Sequence, residues 1–404
     1  MIVVVGMGHS AKMTLVAAAV MVLVAVGGVS YFVQTRPLPY PVPAANVTVT
    51  LPGGVPYRQL TTGSWNDLWP AWSPNGSLIA YVSDRGGEDA LWLMNSSGQN
   101  AFQASTSDEV VAYPSWNPNS TMVAYWAMNG QDSEIRAYSL SNNISYYVAG
   151  SAPFAVQASA AWSPDGSQLA FFENSGLPQL MVFDFNTGVS TSVANVSGSY
   201  LTATWASNDE LLYSTSVGGY NQIMWLSVGT GAGGPLLSGA ANFTNAAVGP
   251  NGTISYYSDF NPGVFSMYAV GYGGFNVWVA NADGSNGTYQ YILALAEEGG
   301  PDIVETPYVP GLLDVTYQPA WSPDGTKVVY TAFAAGTGYS MYMWDVVNWA
   351  SAQIGPLGSG FNSIEPSWSP NGASIAYSSN LGGSYYHIWM LSISGNLTSV
   401  VAGY

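Results

Sequence analysis

The side chains that do most enzymatic chemistry are scarce in these 404 residues. There is no cysteine, which excludes disulfides, thiol nucleophiles and thiolate metal sites. Histidine occurs twice, as His9 near the amino terminus and His387 in the run SYYHIWML. That run reads as a strand with a structural histidine. No Gly-x-Ser-x-Gly elbow accompanies it, so a serine-hydrolase triad has neither base nor nucleophile. The remaining candidates are carboxylates. Asp67, Asp108, Glu109, Asp314 and Glu365 stand just before short apolar segments, and Asp84 and Arg85 lie in a Ser-Asp-Arg-Gly-Gly loop. Set around a common centre, the five acids could hold a cation such as calcium, or supply the acid and base that cleave a glycosidic bond. No other cofactor is implied, and no catalytic set of residues stands out.

Composition narrows the classes further. Hydrophobic residues make up 48% and aromatics 14%, enough for a large core, whereas charged residues are only 7% against roughly 25% in ordinary soluble domains. The net formal charge is −17, and beyond residue 37 only Arg58, Arg85, Arg136 and Lys327 face 23 acids. Nucleic acid is excluded as a partner, because no basic surface exists to displace counterions from phosphates. So few charges of either sign suit an acidic medium, in which carboxylates are protonated and ion pairs fail.

Residues 1–36 contain an uncharged apolar stretch from Met13 to Val33, 21 residues long, between Lys12 and Arg36. Its length predicts a single uncleaved transmembrane anchor, the alternative being a cleaved or pilin-type leader, with Lys12 on the cytoplasmic side in either case and the rest of the chain outside. Residues 37–56 are proline-rich and read as an extended spacer. Ten Asn-x-Ser/Thr sequons follow, at Asn46, Asn75, Asn95, Asn119, Asn143, Asn195, Asn242, Asn251, Asn286 and Asn396. Asn-rich turns account for part of that number; the expectation is a glycosylated surface protein, of archaeal type given the absence of cysteine.

The elements that would position the acids come from a repeat with a period in the forties. It runs WPAWSPNGSLIAYVSDRGG from Trp69, YPSWNPNSTMVAYWAMNG from Tyr113, AAWSPDGSQLAFFENSG from Ala160 and TATWASNDELLYSTSVGG from Thr202. Three more units follow, from Asn245, Tyr317 and Ile364. Trp72, Trp116, Trp162, Trp205, Val248, Trp321 and Trp368 mark the register, and the fifth unit is about thirty residues longer than the rest. Each unit holds a short strand, a Pro-Asp/Asn-Gly turn, a second strand, a glycine-rich loop and a third strand with a central aromatic, and a fourth short strand completes it. Seven four-stranded antiparallel units at this period predict an all-β, seven-bladed propeller over residues 57–404, with the marker tryptophans packed between blades.

These residues resemble the TolB-type propeller repeat. Trp162 to Gly166 and Trp321 to Gly325 carry its Trp-Ser-Pro-Asp-Gly turn, and Ser83, Asp84, Arg85 and Gly87 its Ser-Asp-Arg-x-Gly loop. The resemblance covers about Pro56 to Tyr404 and implies a propeller working in the cell envelope. It departs from the family in counting seven units where the bacterial periplasmic protein has six and a separate amino-terminal domain. Ring closure is expected to use the segment around Arg58 to Thr62 as the outer strand of the last blade, with Asn396 to Tyr404 competing for that place.

Up-and-down blades put the first and third turns on one face and the other loops on the opposite face. Seven sequons fall on the first face and sixteen of the 23 acids on the second. The expectation is therefore a membrane-anchored scaffold that binds an envelope protein or glycan through its acidic loop face. Two rivals are an enzyme acting on envelope polysaccharide with channel carboxylates as acid and base, and a structural component of a surface array.

Overall fold

A computed structural model describes residues 57–106, 109–130, 132–153, 156–174, 177–198, 201–258, 276–285, 287–290, 319–334, 338–348, 350–356 and 360–393, together with 24–26 and 29–31. The chain divides into two units, Met1–Asn46 and Val47–Tyr404. In the first, Val24–Val26 pairs antiparallel with Val29–Tyr31; the rest of the expected anchor lies outside the described residues. Among the described residues no helix is long and apolar enough to cross a membrane.

The second unit holds seven four-stranded antiparallel sheets, each in simple up-and-down order, as the repeat predicts. Blade 1 is Asp67–Trp72, Leu78–Ser83, Ala90–Asn95 and Phe102–Gln103. Blades 2 to 6 follow in chain order, with first strands Val110–Trp116, Val156–Trp162, Ala203–Trp205, Phe243–Val248 and Ala320–Trp321. Blade 7 is Ser363–Trp368, Ser374–Ser379 and His387–Ser392, and its outer strand is Tyr57–Gln59 from the other end of the unit. Closure by the segment around Arg58 is thus as expected; residues 396–404 lie outside the described residues. The insertions of the fifth unit, 260–274 and 294–313, lie outside them as well.

A lone four-stranded sheet cannot cover its own two faces, so the apolar surface is buried between neighbours. Seven clusters of buried apolar residues result, one per junction. The marker tryptophans sit at these junctions, and all but Trp72 also hydrogen-bond across them through the indole. Trp116, Trp162, Trp205, Trp321 and Trp368 donate their indole N–H to the carbonyl oxygens of Ala71, Ser115, Ala161, Ala247 and Ala320, at 2.9–3.2 Å. In every case the acceptor immediately precedes the marker position of the preceding blade. The third-strand aromatics are less uniform than the repeat suggests. Tyr138, Trp278 and Trp344 are buried, whereas Trp92, Phe183, Trp225 and Trp389 are only half-buried.

The turn between first and second strands is fixed by its own side chains. Asn75 Oδ1 accepts from Ser73 Oγ, Ser77 N and Ser77 Oγ at 2.7–3.0 Å, and Asp165 and Asp324 accept in the same pattern in blades 3 and 6. The glycine after the acceptor takes a positive φ, 72° at Gly76 and 74° at Gly166, which a side chain would strain. These turns lie on the same face as those joining third and outer strands, because Ser96 N, Leu140 N and Phe185 N donate to Ser77 O, Thr121 O and Ser167 O.

Candidate functional site

The innermost strands share a feature that no single blade reveals. Three residues before the marker position, Trp69, Tyr113, Asn245 and Glu365 adopt left-handed backbone with φ of 51°, 55°, 54° and 60°. The same strands carry a β-bulge there, since pairing slips between Leu68 and Ala71, Ala112 and Ser115, Thr244 and Ala247, and Ile364 and Ser367. Such backbone costs about 1–2 kcal/mol at each non-glycine residue, and its recurrence at one register makes it part of the innermost-strand design. Sequence reading missed it. The available signal was Pro70, Pro114 and Pro366 directly after three of the four, because proline inside a strand marks a bulge.

At this register blades 7, 1 and 2 are joined in series. Glu365 Oε2 accepts from Trp69 N at 2.7 Å and from Ser378 Oγ at 2.7 Å, and the Trp69 ring packs on Tyr113 with centroids 5.0 Å apart. Glu365 is only 8% exposed. Burial pushes its carboxyl up to about 7, and the two donated hydrogen bonds only partly offset that.

A second polar cluster closes the same junction. Asp67, wholly buried, receives Arg85 Nη2 at 3.0 Å on one oxygen and faces His387 Nδ1 at 3.3 Å with the other. Burial by itself would raise the Asp67 carboxyl; hydrogen bonds from His387, Ser83 and Thr61, with the charge of Arg85, outweigh it and hold the group below its ordinary 3.8. Arg85 also donates to Tyr81 Oη at 2.7 Å and lies over the rings of Trp92, Tyr81 and Trp65 at 4.2, 5.4 and 5.5 Å. Asp84 accepts Asn66 N at 2.7 Å and Asn66 Nδ2 at 3.0 Å, while Asn66 Oδ1 accepts Tyr386 N from blade 7. Glu109 is buried in blade 2 against Arg136 at 3.2 Å, and Arg136 reaches Glu134 at 2.8 Å as well.

The described acids of the expected ring therefore have partners inside the protein. Asp67, Glu109 and Glu365 hold strands and blades together, and Asp84 fixes the loop before blade 1. Asp108 and Asp314 lie outside the described residues. Among the described residues no three His, Asp or Glu side chains come together to hold a metal ion, calcium included. His387 sits in a strand, as expected, and its hydrogen bond goes to Asp67.

Of the sequons, Asn75, Asn119, Asn143, Asn195 and Asn251 are exposed, and Asn95 and Asn242 are half-buried; Asn46, Asn286 and Asn396 lie outside the described residues. Asn95 Oδ1 accepts from Ser97 N, Ser97 Oγ and Gln99 N, so the Asn-x-Ser pattern there and at Asn75 serves the turn itself.

No family model matches the sequence. A stretch of 62 residues, 15% of the chain, is 39% identical to the Tol-Pal system protein TolB 1 of Novosphingobium aromaticivorans and spans 14% of that protein's length. Among solved structures, TolB from Acinetobacter baumannii is similar over 72% of this chain and 66% of its own, with TM-score 0.52 and 18% identity. An oligogalacturonate lyase in complex with manganese is similar over 84% and 93%, with TM-score 0.63 and 11% identity. The β-propeller domain of the Trilobed protease from Pyrococcus furiosus is similar over 85% and 100%, with TM-score 0.55 and 13% identity. At these identities the likenesses carry the fold alone, that of a β-propeller.

Proposed function

We propose that this propeller is a binding module of the cell envelope, displayed outside the cell on the segment 13–33 and its proline-rich spacer, and that it recognises a protein or glycan through its acidic loop rim. The observation that carries this reading is the use of the inner acids. Asp67 and Glu109 are spent on Arg85 and Arg136, which leaves charge for a partner on the neighbouring loops of the same rim, such as the exposed Glu88 and Asp132. The turn rim is the one that would carry sugars, at Asn75, Asn119, Asn143 and Asn251. The TolB likenesses support an envelope role.

The rival reading, an enzyme acting on polysaccharide, draws on Glu365, a buried carboxyl pushed up to about 7 on strained backbone. Mild extraction of the protein from its own membranes, with mass spectrometry of co-purifying molecules and glycopeptides, tests the proposal. A stoichiometric partner that is lost from Glu88→Gln/Asp132→Asn protein, with sugars confined to the turn rim, is expected. A lone monomer with sugars on both rims would overturn it.

A further inference from the structure

The turn between first and second strands carries the pair Asn-Gly in three blades, as Asn75-Gly76, Asn251-Gly252 and Asn371-Gly372. That dipeptide is open to a spontaneous reaction. The backbone nitrogen after an asparagine can attack its side-chain Cγ, and glycine has no side chain to hinder the approach. The backbone of the three turns is alike. Gly76, Gly252 and Gly372 take φ of 72°, 73° and 69°, and their N–H groups donate to Ser73 O, Gly249 O and Ser369 O at 2.8, 3.0 and 2.9 Å.

The side chains are held differently. Asn75 Oδ1 accepts from Ser73 Oγ, Ser77 N and Ser77 Oγ, and Asn371 Oδ1 accepts from Ser369 Oγ at 2.7 Å and Ala373 N at 3.0 Å. Blade 5 lacks the serine that follows the marker position. Gly249 stands there, and a β-carbon on it would come within 2.9 Å of the Trp321 ring. The turn is also one residue shorter, since Gly249 N donates to Thr253 O where Ser73 N reaches Leu78 O. As a result the buried Thr253 hydroxyl has no partner among the described residues. Asn251 is exposed, and its one hydrogen bond among them runs from Nδ2 to Asp324 O of blade 6, at 3.5 Å.

We propose that Asn251 is a self-modifying site, the one asparagine of the three that converts to aspartate in the folded protein. Gly252 N bonds to Asn251 Cγ, the Cγ–Nδ2 bond breaks, and Nδ2 leaves as ammonia with the proton that Gly252 N gives up. Water then opens the cyclic imide at either carbonyl, which yields aspartate or isoaspartate with no change of oxidation state. The attack requires the side chain to swing Cγ toward the next backbone nitrogen. At Asn75 and Asn371 that swing breaks every bond that Oδ1 accepts, whereas at Asn251 it breaks one long bond. Conversion sets a carboxylate against Asp324 O in place of a donor, and it erases the Asn-Gly-Thr sequon, so sugar and deamidation exclude each other at this residue. The inference does not depend on the envelope-binding reading.

The test follows peptide masses over time in the full chain, produced without sugars and kept folded in mildly alkaline buffer. Asn251 is expected to convert several-fold faster than Asn75 and Asn371, to a mixture of aspartate and isoaspartate. In urea, where no turn survives, the three rates should converge. Ser73→Gly/Ser77→Ala, which strips both hydroxyls from the blade 1 turn, should raise the Asn75 rate several-fold in the folded protein. Equal rates at the three sites in the folded chain, a difference that persists in urea, or an Asn75 rate unmoved by the double substitution would overturn the proposal.

Discussion

The junction between blades 7 and 1 is built differently from the junction between blades 2 and 3. Between blades 2 and 3, a dozen buried apolar residues, among them Trp126, Ile135 and Phe171, form the seam, and Trp162 donates to Ser115 O. Between blades 7 and 1 the buried apolar cluster is Ile79, Tyr81, Met94, Ala376 and Ile388, and the Trp72 indole N–H has no partner among the described residues. Polar contacts take over there: Trp72 N to Ser367 Oγ, Trp69 N to Glu365, Tyr386 N to Asn66, and Asp67 with Arg85 and His387. Consecutive blades can form their contacts as the chain extends. The last junction joins residues some three hundred positions apart, and directional polar bonds specify its register where a smaller apolar patch does not.

The largest expected effect comes from emptying the polar seam. Asp67→Ala leaves a half-buried guanidinium and a buried imidazole without their acid and should lower stability by about 3–5 kcal/mol in urea unfolding. Trp162→Phe, which removes one indole hydrogen bond and little area, should lower it by about 1–2 kcal/mol. Equal losses would erase the distinction between the two junctions.

Acidity sharpens the comparison, because the seam's two carboxyls respond in opposite senses. Glu365 is raised in the folded state, so the stability it contributes is complete below its ordinary 4.5 and lost as pH rises through about 7, by up to about 3 kcal/mol. Asp67 is lowered, so its contribution is present above 3.8 and lost as pH falls below that. Stability against pH should therefore peak in mildly acidic solution. Glu365→Gln should flatten the fall toward neutral pH and leave the acid limb intact, as read from unfolding midpoints across the range.

Smaller effects follow from single contacts. Arg85→Lys keeps the charge but loses the flat stacking on Trp92 and the fixed donors to Asp67 and Tyr81, which should remove about 1–2 kcal/mol. Asn75→Ala should remove about 1 kcal/mol by taking away the acceptor that three donors of the turn share. Asn75→Asp should change stability by less than about 0.5 kcal/mol, since Asp165 and Asp324 already fill this position, while abolishing any sugar there.

How much of this was legible in the sequence depends on the range of the interaction. Turns and strands rest on neighbours a few residues apart, so Trp162 to Gly166 and its companions announced seven blades and even the closing strand near Arg58. The indole hydrogen bonds were hidden, although the tryptophans were not, because the acceptors are backbone carbonyls one blade away. Asp67 read as a free acid at a channel mouth because one of its partners, His387, lies 320 residues on and the other, Arg85, is brought to it only by the pairing of the first two strands of blade 1. Glu365 likewise gains its environment from Trp69, 296 residues away. The sequons read as sugar sites before the turn chemistry of Asn75 and Asn95 supplied a second reason for the same spacing.

Native-state hydrogen exchange tests most directly whether the ring is latched at this one seam. Amides of Leu60, Asn66, Trp69, Trp72, Tyr386 and Ile388 should exchange through a partial opening of lower free energy than the amides of blades 2 and 3, and Asp67→Ala should lower that opening energy alone. Exchange of both sets at the single free energy of global unfolding would contradict it.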